Sequence, residues 1–246
     1  MKIKDIEQIV KDQVGITDEE LDDIDRETNY NRILTKVKPK VVTTEYNTID
    51  NHNEYGYRSD SFDGDDGFVF LGCSLTDGYA LEEHETWPWI VGKHFDVKVW
   101  NLAQGARGDD VCFMNTKRWI PKLKPKVVCM LMPPPGRFQF FDYDYKKLFK
   151  EFHLYDLPKK PKFPWLFNPK HLYLSSLKNL LGIKSICDEH NIPFIVKSSD
   201  SPGHGGPPGH WERVYDDDTA RDESHPGPKW QKRVSKLFIK EIEKCI

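Results

Sequence analysis

The feature that most constrains the fold is an alternation of short apolar runs with longer amphipathic segments after residue 66. Apolar runs fall at 68–71, 97–102, Val127–Met132 and 193–197, and helical patterns at 86–95, 111–119, 172–190 and 229–245. The third run is apolar throughout, as expected for a strand that is covered on both faces. This alternation predicts an α/β fold with a mostly parallel sheet and helices on both sides of it.

The character of the sequence changes at about residue 66, which suggests two regions. Residues 1–66 are polar and turn-rich, with helical patterns at 4–14 and 17–30, and we interpret them as an N-terminal arm or small subdomain. Residues 67–246 form the main domain. Within it, residues 137–169 are rich in aromatic residues, Lys and Pro and have no clear periodicity. We expect this insert to pack on the body through its own aromatics or to form a wall of a substrate site.

Composition excludes several classes of protein. The 246 residues carry a net charge of -3, so nothing indicates nucleic acid as a partner. Mean hydropathy is -0.66, and no apolar run approaches the roughly 20 residues of a membrane span. The N-terminus lacks the apolar centre of a secretory signal. Five cysteines without a CxxC pair, of which Cys129 and Cys187 are expected to be buried thiols, indicate a reduced, cytoplasmic setting.

A serine follows the first predicted strand, in the stretch GCSLTDG from Gly72 to Gly78. Functional groups of doubly wound sheets gather at the carboxyl ends of the strands, and a tight turn into a helix exposes a side chain there. Ser74 is therefore a candidate nucleophile, provided that a base lies near it. The stretch lacks the GxxxxGK[ST] pattern of a phosphate loop, and a plain structural turn is the alternative interpretation.

A second candidate pair precedes the last predicted helix. Asp222 and His225 are three residues apart in ARDESHPGPKW, so both side chains can point the same way across one turn. The carboxylate can accept from one imidazole nitrogen and leave the other free to take a proton from a serine. The alternative is that Asp222 caps a turn and His225 is a surface residue.

A small-residue turn follows the second predicted strand. Asn101 closes that strand, and Gly105, Ala106 and Gly108 follow it. Such a turn can present a backbone N–H group to a developing oxyanion.

Together these three stretches resemble the SGNH/GDSL family of serine hydrolases. The stretch around Ser74 is similar to the family's first block, Asn101 through Gly105 to its second, and DESH to its last block, DxxH. The resemblance covers about residues 67–246. It implies a three-layer α/β/α sandwich with a flavodoxin-like sheet, a catalytic set of Ser74, Asp222 and His225, and an oxyanion hole formed by Ser74 and Gly105.

Two departures from the family pattern concern the oxyanion hole. The family's glycine usually lies one place further on, at Ala106 in this register. The third block, GxND, supplies an Asn side chain, whereas here the strand runs into Pro133-Pro134-Pro135-Gly136-Arg137. Either Arg137 replaces the missing donor, or the hole has two donors, or the site is weakened.

The resemblance implies ester hydrolysis through an acyl-enzyme, with a small-molecule or glycan ester as substrate and no metal or organic cofactor. A carbohydrate O-acetyl ester is the preferred substrate. Acyl transfer uses the same residues and stays open, as does a non-catalytic glycan-binding or structural module, which the missing Asn favours. A metal site at His204, His210 and the three aspartates 216–218 is a further alternative, although these residues have no known ligand spacing.

Overall fold

Strands and helices follow each other along the chain in the predicted alternation. The computed structural model describes residues 52–64, 66–134, 137–140, 150–153, 169–198, 218–223 and 225–246. In chain order, its elements are β1 (Gly67–Leu71), α1 (Ser74–Asp77), a 3-10 turn (Glu83–Glu85), α2 (Trp87–Phe95), β2 (Lys98–Asn101), α3 (Asp109–Leu123), β3 (Val127–Met132), β4 (Arg137–Phe140), β5 (Lys150–His153), α4 (Pro169–Glu189), β6 (Phe194–Ser198) and α5 (Pro228–Ile242).

The described strands form a four-stranded parallel sheet in the order β2-β1-β3-β6. Strand β1 pairs with β2 on one side, Phe70 opposite Asn101, and with β3 on the other, Phe70 opposite Cys129. The chain therefore leaves β1 for one neighbour and crosses over to the other, which makes the carboxyl end of β1 the switch point of a flavodoxin-like order. The predicted α/β fold is confirmed for this part of the chain.

Each face of the sheet carries its own core because successive strand residues point to opposite faces. Val69 and Leu71 face α3 and α4, where Trp119 and Ile183 are buried with them. Phe68 and Phe70 face α2 and α5 on the other side, in a core that includes the following fully buried side chains: Trp87, Val91, Trp230, Val234 and Phe238. Helices thus cover both faces, and the architecture is the predicted three-layer α/β/α sandwich.

The segment 52–64 packs on the main domain just ahead of β1. Tyr57 is fully buried, and its hydroxyl donates to Asn115 Oδ1 at 3.0 Å and accepts from Trp119 Nε1 at 3.3 Å. Ser59 bonds to the outer edge of β2, donating to Val99 O at 3.0 Å. The helices predicted at 4–14 and 17–30 lie outside the described residues.

The insert begins differently from the sequence prediction. We predicted an aperiodic stretch from residue 137, but β4 and β5 pair as an antiparallel two-stranded sheet. Four-residue strands are too short to give a readable alternation, which explains why no periodicity was visible. The residues between these strands and most of the rest of the insert lie outside the described part, as do the side chains of its aromatics.

The helix predicted at 111–119 is longer than expected. It runs from Asp109 to Leu123 and includes Pro121 in its last turn, beyond the predicted end at residue 119. Buried Trp119 and Ile120 anchor that end to the core, so tertiary packing outweighs the local preference of proline. The other predicted elements of the sheet domain agree with the structure to within a few residues.

The buried cysteines are as predicted. Cys129 and Cys187 are fully inaccessible, and all five cysteines are free thiols. Burial raises the pKa of Cys187 to about 12 and that of Cys129 well above its usual value, so both thiols stay protonated. Among the helices that the structure describes, none combines the length and apolar character needed to cross a membrane.

We expect Phe238→Ala to destabilise the fold strongly. Its ring is fully buried and stacks on Trp87 with centroids 4.3 Å apart, so truncation leaves a cavity between α5 and α2. The free energy of unfolding, measured by urea denaturation, should fall by about 3–5 kcal/mol. Leu237→Ala on the same helix is the control, since Leu237 is only half-buried. Equal losses for the two variants would contradict this packing.

Candidate active site

The loop from β1 into α1 is built around a glycine that no other residue can replace without strain. Gly72 has φ 157°, and a Cβ there would lie 2.2 Å from Thr76 Oγ1 and 3.0 Å from Leu131 O. This close approach turns the chain at once from the central strand into α1, a single helical turn that Gly78 ends in the left-handed conformation, φ 76°. Ser74 is the first residue of α1, at the carboxyl edge of the sheet.

The DxxH stretch folds into a tight turn that brings its two side chains together. Glu223, between them, has φ 57°, which lets the chain reverse. Asp222 accepts twice from His225: its Oδ1 from the backbone N–H at 3.0 Å, and its Oδ2 from imidazole Nδ1 at 2.6 Å. The imidazole orientation is therefore set by the residue three positions before it. Both side chains are partly buried, with 26% of His225 and 18% of Asp222 exposed.

The other imidazole nitrogen meets the serine. His225 Nε2 lies 3.0 Å from Ser74 Oγ, although the two residues are 151 positions apart in the chain. A carboxylate can only accept, so Nδ1 carries the proton that points at Asp222, and Nε2 is left to accept from the serine hydroxyl. The Ser74, His225 and Asp222 side chains form one hydrogen-bonded chain that can transfer a proton from the hydroxyl to the imidazole.

Two side chains fix the DxxH turn against the α1 loop. The Arg221 backbone N–H donates to Ala80 O at 3.3 Å, and its guanidinium binds Glu85 through contacts of 2.6 and 3.1 Å. Gln231, on α5 and 1% exposed, donates to Leu75 O at 3.1 Å and accepts from Trp87 N at 2.9 Å. The end of the chain is thus hydrogen-bonded directly to the turn that carries the serine.

The second predicted block lies alongside the serine loop. Beyond β2 the parallel pairing continues, since Leu102 N donates to Phe70 O at 2.9 Å and Gln104 N to Gly72 O at 3.3 Å. This brings Gly105 next to α1, where a Cβ on it would be 3.5 Å from Asp77 Oδ2. The following residue, Ala106, has φ 66°. Asn101 ties the two loops together, because its Nδ2 donates to Thr76 O at 3.1 Å.

Arg137 reaches the same edge of the sheet from β4. Its backbone carbonyl fills the space beside Gly108, where a Cβ would lie 2.2 Å away, so the start of β4 abuts the end of the second block. The Nε and Nη1 atoms of Arg137 are buried and have no hydrogen-bond partner among the residues that the structure describes. A buried guanidinium with unpaired donors is costly, which makes these atoms candidates for contact with a ligand.

The metal alternative finds no support in the described part of the chain. No group of three or more potential His, Cys, Asp or Glu ligands occurs there. His204, His210 and the aspartates at 216 and 217 lie outside the described residues. Asp218 has a structural contact instead: its Oδ2 accepts from Trp230 N at 2.6 Å at the start of α5.

Three further side chains near the serine loop were not predicted from the sequence. Gln231 and Arg58 reach the serine loop from distant parts of the chain, Gln231 through Leu75 O and Arg58 through Gly78 O, and no local pattern marks either residue. The ring of Tyr79 lies 5.0 Å from that of His225 and is 40% exposed, so it flanks the imidazole at the surface. Its position one residue after Gly78, at the end of the serine block, was the available signal.

Similar proteins were found among solved structures, all at low identity. No protein-family model and no curated protein matches the sequence. A psychrotrophic esterase from a Pseudoalteromonas species is 13% identical, with 73% of this chain and 98% of that chain covered and a TM-score of 0.38. A lipolytic protein of the G-D-S-L family from Desulfitobacterium hafniense is 15% identical, with 71% and 99% covered and a TM-score of 0.37.

An acetyl xylan esterase from the rumen bacterium Butyrivibrio proteoclasticus is also similar, at 11% identity and a TM-score of 0.38, with 74% of this chain and 64% of that chain covered. The family that the three sequence blocks resemble is thus also named among the similar structures.

We expect Glu85→Gln to loosen the link between the two loops in a pH-dependent way. Burial pushes the pKa of Glu85 upward, but hydrogen bonds from Arg221 and the Glu82 backbone, with the charge of Arg221, outweigh it and leave the pKa lowered. A lowered pKa contributes stability above the unfolded-state value of about 4.3, and the contribution is lost as the pH falls through the folded-state pKa.

At pH 7 the variant should therefore unfold more easily, by about 1 kcal/mol. The difference between variant and parent should shrink below about pH 4. Thermal melts across this range measure it, with Glu189→Gln at an exposed position of α4 as the control. A difference that stays constant with pH would contradict the ion pair as its cause.

Proposed function

We propose that the protein is a serine hydrolase that cleaves esters through an acyl-enzyme. The observation that carries this proposal is the hydrogen-bonded chain from Ser74 Oγ through His225 to Asp222, with separations of 3.0 and 2.6 Å. Nucleophile, base and orienting carboxylate are the three roles that acyl transfer at a serine requires. They meet at the switch point of a parallel sheet, where such folds place their ligands.

The proposed reaction follows from this arrangement. Ser74 Oγ attacks the ester carbonyl carbon while His225 Nε2 takes the hydroxyl proton. Asp222 stabilises the imidazolium through the Nδ1 hydrogen bond and stays ionised. The imidazolium then protonates the departing alkoxide, which leaves an acyl-Ser74 ester. Water, deprotonated by His225, attacks this ester, and Ser74 recovers its proton as the carboxylic acid departs.

The developing negative charge on the carbonyl oxygen needs fixed donors. We propose the backbone N–H groups of Ser74 and of Gly105 or Ala106 as two of them. The N–H groups of a first helical turn have no intrahelical acceptor, which supports Ser74, and the continued pairing of residues 102–104 with β1 brings the second loop beside it. Arg137 is the proposed third donor, supported by the start of β4 lying beside Gly108 and by its buried Nε and Nη1, which have no hydrogen-bond partner among the described residues.

Within the class of esters we propose O-acetylated carbohydrates as substrates. The composition of residues 137–169, rich in aromatics and lysines, fits a polar, ring-containing alcohol better than a long acyl chain. A panel of acetylated sugars and of p-nitrophenyl esters of increasing acyl length tests this choice. Preference for acetyl esters of sugars supports it, and preference for long acyl chains contradicts it.

Replacing the nucleophile should abolish hydrolysis and leave the fold intact. Ser74→Ala removes one hydroxyl, so its far-UV circular dichroism and melting temperature should match the parent. Its rate of p-nitrophenyl acetate hydrolysis should drop to background, and a fluorophosphonate probe should label the parent at Ser74 only. Ser61→Ala, at an exposed position, is the control. Activity that survives in purified Ser74→Ala, or an inactive parent that binds glycans, would overturn the proposal.

Arg137→Met tests the third donor. Removing one oxyanion donor costs about 3 kcal/mol, so kcat should fall roughly 100-fold or more while KM changes little. Arg137→Lys, which keeps the charge but not the geometry, should recover only part of the rate. The measurement is steady-state kinetics with p-nitrophenyl acetate. An unchanged kcat in Arg137→Met would mean that the hole works with two donors, contrary to the proposed role of Arg137.

A further inference from the structure

The loop that follows the serine helix is bound from inside the protein by one arginine. Arg58 is 4% exposed and lies in the segment before β1. Its Nη1 donates to Gly78 O at 2.7 Å and Asp77 O at 3.4 Å, and its Nη2 donates to Leu81 O at 2.7 Å. One guanidinium therefore binds three backbone carbonyls at the end of α1 and in the loop after it.

The local backbone satisfies these carbonyls only in part. The last carbonyls of a helix have no intrahelical partner. Gly78 O also accepts from Leu81 N at 3.2 Å, so Arg58 is its second donor. Asp77 is 2% exposed, so water does not readily replace the arginine. A cation with several N–H groups in a planar fork can donate to all three carbonyls at once, which a lysine does less well.

The loop that Arg58 binds also holds the DxxH turn. Within this loop, the carbonyl oxygen of Ala80 accepts from the backbone N–H of Arg221 at 3.3 Å and from the Arg221 guanidinium at 3.4 Å. Tyr79, beside it, flanks the His225 ring. The loop therefore joins the serine turn at one end and the imidazole at the other, and Arg58 contacts it on both sides of Ala80.

Arg58 is itself held firmly by its neighbours in the chain. Tyr57 is fully buried and is hydrogen-bonded to Asn115 and Trp119. Ser59 accepts from Asn101 N at 3.1 Å and donates to Val99 O at 3.0 Å along the edge of β2. The residues before and after Arg58 are thus both bonded to the main domain, so the position of Arg58 is fixed, and its hydrogen bonds in turn fix the position of the loop.

We propose that Arg58 is a positioning residue for the proposed active site: it fixes the loop 77–81 so that Ser74 Oγ and His225 Nε2 stay within hydrogen-bond distance. The segment before β1 would then belong to the functional unit although it lies outside the three sequence blocks. This inference rests on the proposed ester hydrolysis for its kinetic test, and on the fold alone for its exchange test.

Kinetics of Arg58 variants test the proposal. A displacement of about 1 Å of reacting groups can cost roughly 100-fold in rate, so Arg58→Ala and Arg58→Met should each lose about that factor in kcat, with a smaller change in KM. The rate of fluorophosphonate labelling at Ser74 should fall in parallel. Low-millimolar guanidinium should restore part of the rate of Arg58→Ala, since it fits the vacated space, but not that of Arg58→Met. Arg233→Met, at an exposed position of α5, is the matched control.

Hydrogen exchange gives a second measurement that does not need activity. Removing the arginine donors from these buried carbonyls should speed exchange of amides in the segment 75–86 roughly 10-fold in Arg58→Met, while α3 remains unchanged. Arg58→Lys, which keeps the charge, is the milder variant if Arg58→Met fails to fold, and it should show both effects in reduced form.

The outcomes separate this inference from the functional proposal. A parent without Ser74-dependent activity overturns the function, and exchange then decides the role of Arg58. If Arg58→Met keeps full activity, or if its loss comes with uniform exchange across the fold and guanidinium does not rescue Arg58→Ala, the positioning role is wrong even where the hydrolase proposal holds.

Discussion

The two-sided parallel pairing of β1 is the constraint on which the rest of the structure depends. With β2 and β3 hydrogen-bonded to its two edges, β1 has no freedom in position, and its carboxyl end must open at the switch point of the sheet. The short, direct link from Leu71 through Gly72 to α1 then leaves Ser74 little room to move. A longer connection would have left the hydroxyl to a mobile loop, whereas here the sheet itself determines its place.

Bringing His225 to Ser74 is the harder task, because 151 residues separate them and closing such a distance costs chain entropy. The cost is offset by packing that lies next to the site. Helix α5 starts directly after the DxxH turn and buries Trp230, Val234 and Phe238 against the sheet. Apolar burial thus supplies most of the free energy that holds α5 on the sheet. The hydrogen bonds of Gln231 and Arg221 then fix where the DxxH turn lies relative to the α1 loop.

Sequence alone predicted the parts of this arrangement that have a local pattern. Continuous apolar runs located the buried strands, and GCSLTDG and DESH marked the turns that carry the serine and the imidazole. Arg58 and Gln231 could not be predicted, because their partners lie about 20 and 150 residues away and are mostly backbone carbonyls, which leave no trace in side-chain spacing. The β4–β5 pair was not predicted because its strands are too short to show an alternation. Helix α3 extends past Pro121 because the burial of its last turn outweighs the low helix propensity of proline.

Arg58 and Arg137 differ in whether their guanidinium groups have hydrogen-bond acceptors, and this difference suits them to different roles. Arg58 is buried, and its guanidinium donates to three backbone carbonyls, Asp77 O, Gly78 O and Leu81 O. Arg137 has buried Nε and Nη1 atoms that find no acceptor in the described part of the chain. Buried polar atoms without a partner are few in native structures, and a catalytic role is one of the reasons for which they are kept. A satisfied cation can only hold its loop in place, whereas one with unpaired donors gains free energy when negative charge appears beside it, and that is the property an oxyanion site requires.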